Sequence, residues 1–198
     1  MFRHRKMVAV AIGVAMAAVL ATASAAYASL GPGVTVTASL KSGTDMTFAG
    51  NINGAPITVS CTSFSGSGTT GSSPSDSVTL NGAPSITGCT DSLGGTDTIK
   101  TNTTNGNWKL SSNKKGTKFT LAAPKAAATF TSSLISSCVI TAFPAKAGKV
   151  NGKFNSSADT DTVKKAKIPT QGSGCSSTTA TTNAVVTFSP NPGKPPYG

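Results

Sequence analysis

The sequence predicts an all-β protein, an antiparallel β-sandwich or barrel of ten or more short strands with no substantial helix. Three observations carry that expectation. Apolar residues recur with period two in short runs, Asn-Gly pairs punctuate the runs, and four cysteines stand in a chain with few large apolar side chains.

The first 28 residues stand apart from that pattern. Arg3, His4, Arg5 and Lys6 give a cationic start, Val8 to Leu20 are apolar or small, and Ala26-Tyr27-Ala28 is a small-x-small cleavage pattern. This is the grammar of a secretory signal, so export and a mature chain from Ser29 are expected. The apolar run is short of the roughly 20 residues that a membrane span needs. No apolar tail follows at the other end, so no membrane span is expected in the mature chain.

From Ser29 onward the strands read in order. Val34-Thr35-Val36-Thr37 alternates, as do Ile57-Thr58-Val59 and Ser77-Val78-Thr79-Leu80. Trp108-Lys109-Leu110, Lys118-Phe119-Thr120-Leu121, Cys138-Val139-Ile140-Thr141 and Val185-Val186-Thr187-Phe188 are further strands. Alternation puts Trp108 on the same inward face as Leu110, a core anchor rather than a surface platform. Asn53-Gly54, Asn81-Gly82, Asn105-Gly106 and Asn151-Gly152 read as turns. Ser65 to Ser75, rich in Ser, Gly and Thr, reads as a mobile loop. Residues 29–189 form one domain by this reading, and the Pro/Gly-rich stretch 190–198 is an extended tail.

Composition limits the chemistry. Glutamate is absent throughout, and both arginines and the single histidine lie before Ser29. The mature chain keeps fourteen lysines and six aspartates, a balance of +8. Without histidine no Ser-His-Asp or Cys-His arrangement can form, and common zinc sites lose their imidazole ligands. Without arginine there is no bidentate fork for phosphate. A non-enzymatic protein is therefore expected, with no catalytic, cofactor-binding or metal residues.

Cys61, Cys89, Cys138 and Cys175 are an even set in an exported chain, so two disulfides are expected. Three pairings are open. Sequential pairing, Cys61 with Cys89 and Cys138 with Cys175, is favoured because it closes one loop in each half of the domain. No C-x-x-C spacing supports a metal site instead.

Cys61-Thr62-Ser63, Ile86-Thr87-Gly88-Cys89-Thr90, Asn105-Gly106-Asn107-Trp108-Lys109-Leu110, Ser137-Cys138-Val139-Ile140-Thr141 and Gly172-Ser173-Gly174-Cys175 follow one another in a layout with a familiar look. That layout resembles a group of small secreted Thr/Ser/Gly-rich actinobacterial proteins of uncharacterised function, over roughly Val34 to Phe188. The resemblance implies paired cysteines and a β fold, and it brings no activity or site residues with it.

Remaining candidates are weak. Ser111-Ser112-Asn113-Lys114-Lys115 holds two S-x-x-K spacings, but that chemistry needs a helix start and here it reads as a polar hairpin. Asp159-Thr160-Asp161, and Asp91 with Asp97, are candidate carboxylate or calcium pairs, better read as solvated turn residues. The lysines gather in three stretches: Lys109, Lys114, Lys115 and Lys118; Lys146, Lys149 and Lys153; Lys164, Lys165 and Lys167. They give a basic surface suited to anionic polymers of the cell envelope, with specific nucleic-acid binding poorly supported. The expected function is a non-enzymatic binding module, cell-envelope-associated or extracellular. The alternative is a secreted inhibitor that presents Ser65–Ser75 or the tail to a protein partner.

Overall fold

The computed structural model describes residues 31–72, 76–113, 116–155 and 157–190, so the expected signal and most of the tail lie outside the described residues. Thirteen antiparallel strands and no helix appear among the described residues: β1 (Thr35–Leu40), β2 (Met46–Ile52), β3 (Ala55–Thr69), β4 (Ser77–Leu80), β5 (Ser85–Asp91), β6 (Thr96–Thr101), β7 (Lys109–Ser112), β8 (Lys118–Ala123), β9 (Ala128–Ser132), β10 (Val139–Ala142), β11 (Gly148–Asn155), β12 (Thr160–Ser173) and β13 (Thr179–Ser189).

Their pairing closes on itself. The long β3 pairs along one edge with β2 and then β1, and along the other with β5 and then β4. Strands β6 and β7, β8 and β9, and β10 and β11 likewise lie end to end between the same neighbours. The uninterrupted β12 and β13 follow, and β13 returns to pair with both β1 and β2. The result is an up-and-down barrel of eight staves, three continuous and five broken midway. Closure leaves no sheet edge exposed, which is how a Thr-rich β protein avoids edge-to-edge association.

Side chains alternate between interior and solvent. On β1, Val36 and Ala38 are buried while Thr35, Thr37 and Ser39 are exposed. On β11, Lys149, Asn151 and Lys153 point out while Gly152 and Phe154 are buried. The outer wall is therefore polar. The long strands need corrections of phase to stay wrapped around one interior. A bulge at Lys164 and Lys165 shifts β12 between Val163 and Ala166, so that both remain inward. Cys61 and Phe64 are both buried with exposed Thr62 and Ser63 between them, and β5 switches face at the matching place through Gly88, at φ +65°.

One end of the barrel is packed with aromatics. Phe119 lies 4.7 Å from Phe154, edge-on, and 5.0 Å from Phe188, stacked. Of the two disulfides, one sits midway along the barrel wall, in the same core as these phenylalanines, and the other lies beyond the last residue of β12. Cys61–Cys89 joins directly opposite residues of β3 and β5, and Cys138–Cys175 ties the approach to β10 to the exit from β12. The sequential pairing expected from the sequence is the one formed. Trp108 is buried on the interior face as expected, and its Nε1 donates to the Asn102 carbonyl at 2.9 Å.

Several local expectations need correction. Ser65–Thr69 is not loop but the paired end of β3, because β1 and β4 satisfy its backbone on both sides. Asn81-Gly82 and Asn105-Gly106 interrupt staves rather than closing hairpins. Asn151-Gly152 is no turn at all and lies within β11. Only Asn53-Gly54 makes the expected hairpin, with both residues at positive φ, between β2 and β3.

Candidate functional site

An eight-stave barrel is just wide enough for its own side chains to fill. Here it is not filled. A cavity of about 190 Å³ occupies the interior, lined from all eight staves. The sequence explains the vacancy: many inward positions, among them Gly50, Gly66, Ala128, Ala142 and Ala184, carry almost no side chain. Phe48, Ile86, Ile99, Leu121, Phe130 and Val150 face this chamber and are only half-buried, since their inner surfaces meet open space. An unfilled volume of this size costs about 4–5 kcal/mol relative to a packed core, by the scaling of roughly 24 cal/mol per Å³.

Asn51, Thr129, Thr170 and Ser177 are polar members of the lining, and two more carry buried atoms without a partner. Asp161 is 6% exposed, and its Oδ1 has no hydrogen-bond partner among the described residues. Thr182 Oγ1, on the neighbouring stave, is equally unpartnered. Both residues line the chamber. Asp161 pairs across with Val186 and Thr182 with Ala166, which separates them by two inward rungs, about 13 Å along the strands. Burial pushes the Asp161 carboxyl up to about 7.

The position of that carboxyl explains the Asn151-Gly152 pair. A Cβ on Gly152 would sit 2.0 Å from Asp161 Oδ2, and the other carboxyl atoms would be 2.3 Å away. The carboxyl thus lies directly against bare backbone of β11, in space that only glycine leaves open. Asp159 does not join it. That residue is in the turn before β12, at φ +51°, while Asp161 is in the barrel, so no two-carboxylate site forms.

Asp91 and Asp97 come together, but buried rather than solvated. Asp91 accepts from the Leu93 amide at 2.8 Å, the Gly95 amide at 2.9 Å and the Ser132 hydroxyl at 2.7 Å. Burial acts to raise its pKa, yet the hydrogen bonds from Ser132, Gly95 and Leu93 outweigh it and hold the carboxyl below the ordinary value. Asp97 is raised to about 6, first by burial and then by the charge of Asp91. Among the described residues no three potential ligands gather for a metal. The donors around Asp91 are N–H and O–H groups of the protein, so this knot ties the loop between β5 and β6 to the end of β9. The expectation of solvated turn aspartates therefore fails for Asp91, Asp97 and Asp161, all of which are buried.

The lysines stand on the outer wall, where the fold brings distant stretches together. Lys118 on β8 is directly opposite Lys153 on β11. Lys109 on β7 and Lys149 on β11 flank Ala122 from its two sides. Lys164, Lys165 and Lys167 are exposed on β12, the next stave, and Lys146 is exposed in the loop before β11. Lys114 and Lys115 lie outside the described residues. Ser111 is on β7 and not at a helix start, so the S-x-x-K spacing has no catalytic geometry.

Sequence reasoning missed the chamber, because small inward residues look like weak strand positions when read one strand at a time. The available signal was glycine in an inward place, Gly152 between Val150 and Phe154. Two disulfides fit an oxidising compartment, and among the described residues no helix is long and apolar enough to cross a membrane. No family model, curated protein or solved structure matches the chain, so its function is read from this geometry alone.

Proposed function

We propose that the protein is an extracellular, non-enzymatic binding module whose barrel encloses a small, largely apolar molecule. The observation that carries this is the interior volume of about 190 Å³ with an apolar lining drawn from every stave. A buried apolar cavity of about 150 Å³ in another protein stays dry and takes up benzene, so this chamber suits a guest somewhat larger. Its lining offers one carboxyl and one unpartnered hydroxyl, which serve recognition; no nucleophile–base pair stands beside them. Toluene at saturation should raise the thermal unfolding midpoint, because it binds the folded barrel only. Ala142→Leu, which fills the chamber from β10, should abolish that rise. A midpoint indifferent to toluene in the native protein would refute the reading.

A second reading concerns the outer wall and is compatible with the first. Like charges directly opposite on neighbouring strands are destabilising, yet Lys118 faces Lys153. That arrangement favours adhesion to anionic polymers of the cell envelope, with a counter-charge supplied from outside. Co-sedimentation with isolated envelopes should then fall steeply as salt rises. Absence of binding at low salt would exclude it.

A further inference from the structure

The unpartnered carboxyl specifies the ligand more closely than the chamber does. A buried polar group without a partner is costly, and replacing it by an apolar residue would relieve that cost. The carboxyl of Asp161 is nevertheless held in place, with Gly152 reduced to bare backbone to admit it.

Three head groups could meet it. An ammonium would have to shed its water in a largely apolar chamber, and the attraction of one buried carboxylate seldom repays that desolvation. The lysine-bearing wall also repels cations from the protein. A second carboxylate would be repelled by Asp161 itself. A hydroxyl carries no charge, and it matches the carboxyl in either protonation state, donating to the ionised form and accepting from the neutral one. Resting on the chamber reading above, we infer that the site selects a compact neutral alcohol or phenol whose hydroxyl hydrogen-bonds Asp161 while its apolar body fills the space beside Val163, Ala184 and Val186.

Thr182 offers the rival anchor, since its hydroxyl is also unpartnered. Its bond would be between neutral groups, about half the strength of one to a carboxylate, so Asp161 dominates.

The test is calorimetric titration of the native protein, Asp161→Leu, Asp161→Asn and Thr182→Val with toluene and benzyl alcohol. These probes share one carbon skeleton and differ only in the hydroxyl on the benzylic carbon. The native protein should favour benzyl alcohol by about tenfold or more, the ratio expected for a hydrogen bond to a charge-capable group. Asp161→Leu should reverse the order. Asp161→Asn, which still donates and accepts, and Thr182→Val should each keep it. An equal preference in the native protein and Asp161→Leu, with both probes bound, overturns the inference and leaves the chamber reading intact. Loss of the preference in Thr182→Val alone also overturns it. If neither probe binds any variant, the chamber reading itself fails. Should Asp161→Leu not fold, the native pair decides, because a wholly apolar chamber would favour toluene.

Discussion

Asp91 and Asp161 are both buried carboxyls of the same barrel, and they are held in opposite ways. Asp91, at the end of β5, is surrounded by donors from Leu93, Gly95 and Ser132 and ties the β5–β6 loop to the end of β9. Asp161, in the chamber wall, has an oxygen that nothing in the described protein reaches. A satisfied buried acid serves the fold, whereas an unsatisfied one beside an open volume is kept at a cost to the fold. What sets Asp161 apart is the open volume beside it, since Asp97 next to Asp91 is also buried with both oxygens unpartnered but does not line the chamber.

The largest effect should come from breaking the first. Asp91→Ala would leave two backbone amides and the Ser132 hydroxyl without their acceptor, a loss of about 4 kcal/mol at 1–3 kcal/mol for each buried donor. Urea unfolding would read it as a lower midpoint. Asp161→Leu should do the reverse and raise the midpoint at pH 8. An equal loss in both variants would erase the distinction.

The two acids should also respond to pH with opposite signs. Folded Asp161 keeps its proton up to about pH 7, whereas the unfolded chain releases it near the ordinary value of 3.8. Between those values the unfolded state binds fewer protons, so stability falls as pH rises, by up to about 4 kcal/mol. Asp97 adds to the same trend up to about pH 6. Asp91, held below 3.8, contributes stability that is present above that value and lost as pH drops through its folded pKa. Asp161→Asn should flatten the decline from pH 4 to 7 and leave the acid-side loss unchanged. A native stability curve that rises across pH 4 to 7 would contradict the account.

Smaller still is the effect of closing the space under Asp161. Gly152→Ala places a methyl on the carboxyl and should cost about 1–3 kcal/mol, typical of overpacking. In the Asp161→Ala background the same change should be close to neutral, and a double-mutant cycle measures the coupling. Additive losses would mean that the glycine answers to something else. The smallest effect is on the outer wall. Lys118→Gln relieves the like-charge pair with Lys153 and should stabilise by a few tenths of a kcal/mol at low salt, while weakening envelope co-sedimentation.

The alternation of Val34–Thr37, Ile57–Val59 and Val185–Phe188 was enough to expect strands, and the burial of Trp108 followed from the same rule. The cysteine order was enough to favour the pairing that forms. Closure was not legible, because it depends on β13 reaching back across the whole chain to β1 and β2, with Thr37 and Ser189 152 positions apart. Asn151-Gly152 shows the limit most clearly. Locally it has the chemistry of a turn, but the glycine is there for a carboxyl on the next stave. Asp161 reads as a turn residue in sequence for the same reason: its burial is set by long-range pairing that its neighbours in sequence do not announce. Lysines far apart in sequence likewise became a wall only once staves were laid side by side.

A crystal structure of the protein grown with benzyl alcohol would test the central claim most directly. The account predicts one molecule inside the barrel, its hydroxyl within hydrogen-bond distance of Asp161 and its ring against Val163 and Ala184. A chamber filled by ordered water under saturating alcohol, or alcohol bound only on the outer wall, would contradict it.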